Sequence, residues 1–346
     1  MPAGRWHIKR CMKHLHKNKI VYAYAAAAGL LLLSALLGIV LGSSNIPLRD
    51  VAGVLFGGHT DSPEANIIRF IRLPRVLASL VCGAALAVSG AVIQGVLTNR
   101  LASPGIIGIN AGAGLAVTLC AALGVYGGWR VSLAAFVGAF ATALLVSLGA
   151  KKWGASRGTV ILAGVAINSL LGAVSDTVVT FFPDANIISN DFRVGDFAGV
   201  THAKLLPAAI LIGLAMLVLF TLSNELDVLT LGDENARGLG LNTSTARLIL
   251  LLLAALLCGA AVSVAGLLSF VGLLVPHAVR RAADGRAKHL LPLCALFGGG
   301  FVTLCDTLAR TVFAPYELPV GILMAFLGAP FFLFILIKGK GGHRHA

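Results

Sequence analysis

Apolar runs of about twenty residues follow one another along nearly the whole chain, and a run of that length is what a helix needs to cross a bilayer. They span Ile20–Gly42, Val76–Leu97, Ile106–Val125, Val131–Ala150, Thr159–Phe182, Lys204–Ser223, Ala246–Val264, Leu267–Ala282, Leu290–Phe313 and Gly321–Ile337. Within each run the apolar residues are contiguous rather than alternating, which argues against a membrane barrel. Helices satisfy their own backbone hydrogen bonds in lipid, so the expected fold is all-α: a polytopic transmembrane bundle of about ten spans. Apolar residues make up 58% of the chain and charged ones only 12%. That balance excludes a soluble multi-domain protein, a disordered chain and a disulfide scaffold. The expected organisation is a basic segment at 1–19, a membrane domain at 20–338 and a basic tail at 339–346. The first run is too long for a signal-peptide core and reads as a retained span.

The formal net charge of +13 could suggest nucleic acid, but its distribution points elsewhere. With both termini inside, 19 lysines and arginines fall on the inner face and 8 on the outer one. This bias satisfies the positive-inside rule, so nucleic acid is not needed to explain the charge. The six cysteines are scattered, form no CxxC pair, and read as small packing residues. The 41 glycines suit close helix packing.

No motif in the chain supports covalent chemistry. There is no GxxxxGK[ST] to cradle ATP phosphates and no HExxH, and the serines stand apart from the histidines. Ionisable groups inside the spans are few; Asp176 and Asp306 stand near outer helix ends. An ion-coupled secondary transporter, the competing reading from another class, usually needs a chain of such groups at membrane depth.

Five segments stand out. Arg72-Leu-Pro-Arg75 opens the second span as a cationic edge, either an interfacial anchor or a docking site for carboxylates. Asp306 and Arg310 are one helical turn apart and read first as a local ion pair. LGDENARGLGLN at 231–242 places Asp233 and Glu234 at a helix start, as either a solvated surface helix or a knob for an inner partner. NRLASPGIIGINAGAG at 99–114 breaks the helix near membrane depth, as a tight turn or a pathway lining. In GLLSFVGLLVPHAVRR, at 266–281, His277 reads as an interhelical hydrogen bonder, as do Gln94 and Asn168 within their spans.

Taken together, RLPRVLASLVCGAALAVSGAVIQGVLTNRLASPGIIGINAGAG, LAGVAIN, LGDENARGLGLN, LLSFVGLLVPHAVR, ADGRAKHLLPLCALFGGGFVTLCDTLAR and ELPVGILMAFLGAPFFLFIL resemble the iron-chelate/haem/cobalamin (FecCD-type) permeases of bacterial ABC importers. The resemblance covers about residues 20–338. It implies a non-enzymatic transport subunit in a bacterial or archaeal cytoplasmic membrane, paired with a second permease copy. Two cytoplasmic ATPase subunits would carry ATP and magnesium, and this chain would bind no cofactor. An external substrate-binding protein would dock through its glutamates on Arg72, Arg75 and Arg310. The coupling segment implied is Leu231, Gly232, Asp233, Glu234, Ala236, Arg237, Leu239 and Gly240. Asn99 and Leu101 match a cytoplasmic gate. A second gate matches the turn near Arg157 and Gly158, where relatives often carry small polar residues. In the loop after the fifth span relatives often read W-x-x-G-S, whereas this chain reads FRVGDFAG. Arg193 and Asp196 therefore alter the surface facing the binding protein or the pathway entrance. The implied cargo is a ferric siderophore or haem, with a corrinoid or an oxyanion as alternatives.

Overall fold

Ser62 and Pro63 start the helix around which the others pack. The Ser62 hydroxyl accepts from the Ala65 amide at 3.1 Å, and Pro63 occupies a first-turn position where no amide partner is needed. In the computed structural model, which describes residues 3–44, 46–55, 62–152 and 157–340, helix then runs unbroken from Pro63 to Val96. The side chains of 3–17, 55, 150–152, 157 and 335–340 lie outside that description.

The elements in order are α1 (Ala3–Val40), α2 (Leu48–Leu55), α3 (Pro63–Ile67), a π turn at Ile68–Arg72, and α4 (Leu73–Val96). A 3₁₀ turn at Pro104–Ile107 leads into α5 (Ile109–Ala122), followed by α6 (Gly128–Lys152), α7 (Arg157–Phe181), α8 (Ala185–Val194) and α9 (His202–Thr221). The remainder is α10 (Ser223–Thr230), α11 (Asp233–Gly238), α12 (Thr243–Ala265), α13 (Val271–Ala282), α14 (Ala287–Ala309) and α15 (Val320–Lys340). No strand occurs among the described residues.

Seven helices are long and apolar enough to cross a membrane, and Ile109–Ala122 and Val320–Phe334 are shorter apolar helices. The expected eighth span is only α13. Residues 267–270 are not helical, because Gly266 leaves the helix at φ +70° and Phe270 takes φ +65°. The second span begins at Pro63 rather than Val76, since the π turn carries the helix through the charged RFIRLPR stretch. The third starts at Ile109 rather than Ile106, where Gly108 at φ +87° ends the 3₁₀ turn. The outer segment at 183–203 contains a helix, α8, that its polarity hid, and residues 3–19 continue α1.

Burial sorts the helices into two classes. α4, α12 and α14 bury most of their apolar length, with α12 and α14 each packed on α4; α1, α6, α7 and α9 leave most of theirs bare. A helix apolar all round and buried is a core helix, and bare apolar flanks suit lipid or another membrane helix. Small residues set how close the core helices come. A Cβ at Gly90 would stand 2.0 Å from the Gly272 carbonyl oxygen, backbone against backbone. Gln94 donates to that same oxygen at 3.0 Å, locking α4 to α13.

Gly90→Ala is therefore expected to destabilise by about 1–3 kcal/mol through overpacking. Gly29→Ala on the bare face of α1, where an added Cβ meets nothing within 4 Å, serves as the control. Thermal unfolding of the two variants in the same detergent checks this.

Candidate functional site

The last turn of α1 has backbone carbonyls with no intrahelical partner, as every helix C-terminus does. Leu37 still accepts from the Leu41 amide at 2.7 Å, but the next three carbonyls are taken by arginines. Arg310 donates to Gly38, and Arg72 donates to Ile39 at 3.0 Å and Val40 at 2.7 Å. Both cations stand at the negative end of the α1 dipole, where positive charge is favoured.

Arg75 lies one turn beyond Arg72 and binds carboxylates instead. Its Nε donates to both oxygens of Asp306 at 3.0 and 3.1 Å, and its Nη1 donates to Glu317 Oε2 at 2.6 Å. Its Nη2 lies 3.0 Å from Asp306 Oδ1 and 3.5 Å from Asp196 Oδ1. Arg310 adds an i, i+4 ion pair to Asp306 at 3.6 Å. Three arginines and three carboxylates thus form a formally neutral cluster joining α1, the α3–α4 helix, the turn after α8, α14 and the 310–319 turn. Neutrality matters, because Asp306 is fully buried and an uncompensated buried charge is strongly unfavourable.

The three arginines expected at an outer docking edge are thus engaged within this chain. Arg72, Arg75 and Arg310 are 3%, 5% and 2% exposed, and their hydrogen-bonding groups face this chain. The local Asp306–Arg310 pair is present, but it is part of the larger cluster. Of the two departures in FRVGDFAG, Asp196 joins the cluster, and its Oδ1 also accepts from the Phe197 amide at 2.7 Å. Arg193 pairs instead with Asp176 at 3.2 Å on an exposed surface. Sequence reasoning assigned no role to Glu317. The signal available was one acidic residue in PYELPVG, the turn that follows the buried pair.

Burial alone would raise the Glu317 carboxyl. Hydrogen bonds from Ser43 and Arg75, with the charges of Arg75 and Arg310, outweigh it and hold the group below the usual carboxylate range.

A second candidate region lies at the other end of α4, about 36 Å away at 1.5 Å per residue. Leu226 of α10 packs against Gly95 there. Gly232, at φ +102°, turns the chain into the short α11, whose first turn carries Asp233 and Glu234. Ala236 is buried, Arg237 and Gly240 are exposed, and Gly240 ends the segment at φ +83°. Leu231 and Leu239 flank the helix at 56% and 67% exposure, in a polar stretch outside the candidate spans. Asp233 accepts from Arg247 of α12 at 2.7 and 2.9 Å, and Arg237 donates to Thr243 at 3.3 Å. Asp227 of α10, another residue given no role from sequence, accepts from the Ala287 amide at 2.8 Å and caps α14.

Asn99 and Leu101 lie in the turn that leaves α4, with Asn99 Oδ1 accepting from the Leu101 amide at 2.9 Å. Leu101 is 44% exposed. The turn then enters the protein: Asn168 of α7 donates to the Gly105 carbonyl at 2.6 Å. His277 makes an edge contact with Phe331 of α15, with ring centroids 6.2 Å apart. Gly158 opens α7 and is exposed; the Arg157 side chain lies outside the described residues. Among the described residues no group of three His, Cys, Asp or Glu could hold a metal.

The family model described as the FecCD transport family matches residues 30–338. The hemin transport system permease protein HmuU of Yersinia pestis is 37% identical over 318 residues, 89% of this chain and 95% of that one. The iron(3+)-hydroxamate import system permease protein FhuG of Bacillus subtilis is 35% identical, covering 93% of this chain and 98% of the other. A solved inward-facing ABC transporter of metal-chelate type superposes with a TM-score of 0.81 at 28% identity, over 90% of this chain and 98% of that one.

Two outcomes test the cluster. Arg75→Leu leaves buried Asp306 with only the longer Arg310 pair and is expected to cost about 3–5 kcal/mol, with part recovered in the double variant Arg75→Leu/Asp306→Leu. Thermal unfolding of the single and double variants measures the coupling. A Glu317 pKa depressed on folding contributes stability that is complete above the unfolded value of about 4.3 and is lost as pH falls through the folded value. The wild-type midpoint should therefore fall more steeply than that of Glu317→Gln on acidification below about pH 4.3.

Proposed function

The chain belongs to the FecCD transport family, and from that premise we propose that it is the permease of an ATP-driven importer for an iron chelate, a ferric siderophore or haem. The coarser statement, a multi-pass membrane permease of the ABC transporter class, follows from family membership and the apolar helices. The observation that carries the finer reading is the α11 segment. Two leucines stand bare on a rigid helical knob outside the spans, bonded to the core helix α12. Exposed leucines braced in this way suit a cytoplasmic protein partner, and in this reading two ATPase subunits dock there.

The proposed assembly holds two permease copies with the pathway between them, each doing no covalent chemistry. Closure of the ATPases moves the α11 knobs and biases the pair between outward-open and inward-open arrangements. Asn99 and Leu101, with the turn at Arg157 and Gly158, form the inner gate in this proposal. A substrate-binding protein meets the opposite end, on the surface that the buried arginine cluster braces. Hemin and iron(3+)-hydroxamate, named for the two relatives, favour an iron chelate over a corrinoid or an oxyanion.

The test is uptake of haem and of a ferric hydroxamate into proteoliposomes holding this chain with its ATPase and binding protein. ATP-dependent uptake of one of them is expected. Leu231→Asp/Leu239→Asp should reduce both uptake and stimulated ATP hydrolysis by at least about tenfold, a loss of roughly 1.4 kcal/mol of coupling. Unchanged coupled transport would remove the α11 assignment, and uptake driven by an ion gradient without ATPase would remove the ABC reading.

A further inference from the structure

A groove of about 290 Å³ lies between α6, α9 and α12, away from both regions described above. Its walls are Leu133, Phe136, Ala208 and Leu211, and Lys204 and Trp129 stand at its mouth. Leu133 and Val137 on α6, with Leu206 and Ile210 on α9, are each more than half exposed beside it. The groove therefore opens on the bare apolar face that the bilayer covers.

Its two serine hydroxyls are accounted for. Ser132 donates to the Gly128 carbonyl at 3.5 Å, and Ser263 donates to Ala260 at 2.8 Å, so both hydroxyls serve their own helices. Lys204 is half-buried, and among the described residues no carboxylate pairs with it. A lysine facing an apolar groove without a counterion leaves room for an anion from outside the chain.

The depth of this cation is marked independently. Lys204 and Trp129 both sit in the first turn of a span. Trp129 is 67% exposed, with the Arg130 guanidinium 5.9 Å from its ring centroid. Exposed tryptophan and arginine at a helix start mark the headgroup layer. His202, two residues before Lys204, bonds the Arg69 carbonyl at 3.1 Å, which puts the groove at the same end as the ion cluster. An occupant must then be anionic at headgroup depth and apolar below it.

We propose that this groove is a binding site for an acidic phospholipid of the leaflet at that end, with the lipid phosphate on Lys204 and an acyl chain along Leu133, Phe136 and Leu211. The site is independent of transport. The Lys204 ammonium favours a headgroup without an ammonium of its own, so phosphatidylglycerol should displace phosphatidylcholine.

Trp129 supplies the readout. With Trp6→Phe and Trp153→Phe it is the sole tryptophan in the chain. The full chain is reconstituted in phosphatidylcholine vesicles doped with equal fractions of brominated phosphatidylglycerol or brominated phosphatidylcholine. Phosphatidylglycerol should quench Trp129 as though enriched roughly fivefold, the weight of one lysine near an anionic surface. Lys204→Gln should abolish the preference, Lys204→Arg should keep it, and Ala208→Phe, which fills the groove with the charge intact, should remove it. Equal quenching by the two lipids in the parent protein overturns the proposal, as does a preference that survives Lys204→Gln. Absence of quenching by either lipid also overturns it, by showing the groove covered by protein. If Lys204→Gln does not fold, the contrast between Lys204→Arg and Ala208→Phe decides the same point.

Discussion

The orphan carbonyls at the end of α1 and the fully buried Asp306 pose one problem, and three arginines solve it together. A helix terminus packed inside protein must have its carbonyls satisfied, and a buried carboxylate must have its charge met. Arg72 and Arg310 do the first, Arg75 and Arg310 the second, and Glu317 and Asp196 bring the charge to zero. Five separate parts of the chain meet at this point. No single pair would hold them, since each arginine bridges at least two. The π turn at Ile68–Arg72 belongs to the same arrangement: it ends at Arg72 and carries the helix on to Arg75.

The helical class, the span order and most span ends were legible, because contiguous apolar length and glycine or proline punctuation are local properties. What escaped was non-local. RLPR reads as an exposed cationic edge because nothing nearby in sequence neutralises it; its carboxylates lie more than a hundred residues away, at Asp196, Asp306 and Glu317. The Asp306–Arg310 pair was visible since helical spacing puts it within reach, yet that local partner is at 3.6 Å and the distant Arg75 at 3.0 Å. α8 was hidden for a different reason. It is a polar amphipathic helix, and polarity alone reads as loop. The knob at 231–242 was legible as a helix start and stop, but its brace to Arg247 was not.

Burial gives the bundle a direction. α4, with α12 and α14 packed on it, forms a core held by close backbone approach, as where a Cβ at Gly83 would stand 2.5 Å from the Gly298 carbonyl oxygen, and such packing resists continuous deformation. α6, α7 and α9 surround it with flanks bare of protein cover. α7 is the special member of this rim: its Asn168 holds the Pro104–Ile107 turn, and its outer end carries Asp176 in an exposed pair with Arg193. A helix that is apolar in bulk, mostly unburied and marked by polar groups at two depths is suited to polar contact with another helix as well as to lipid.

The two ends of the molecule differ in how they could move, and this difference bears on the proposed function. At the arginine end, displacement of an element would pull an arginine from the buried Asp306, from a partly exposed carboxylate or from the α1 carbonyls, an expensive change over a small distance. At the α11 end the links are few and directional. Asp233 ties the knob to α12 through Arg247, and Asp227 ties α10 to the start of α14 through a backbone cap. Both links reach core helices near their ends rather than their middles. A push on the exposed leucines is thus delivered to α12 and α14 as a lever whose far end is clamped by the ion cluster: α14 carries Asp306 directly, and the turn just past α12 carries the backbone bonds that hold the Asp196 loop. The Asp196 amide itself donates to the Ala265 carbonyl at the end of α12 at 2.8 Å, so the clamp grips both levers. Tilting about the end held by the ion cluster, rather than sliding as a block, is the motion this arrangement favours.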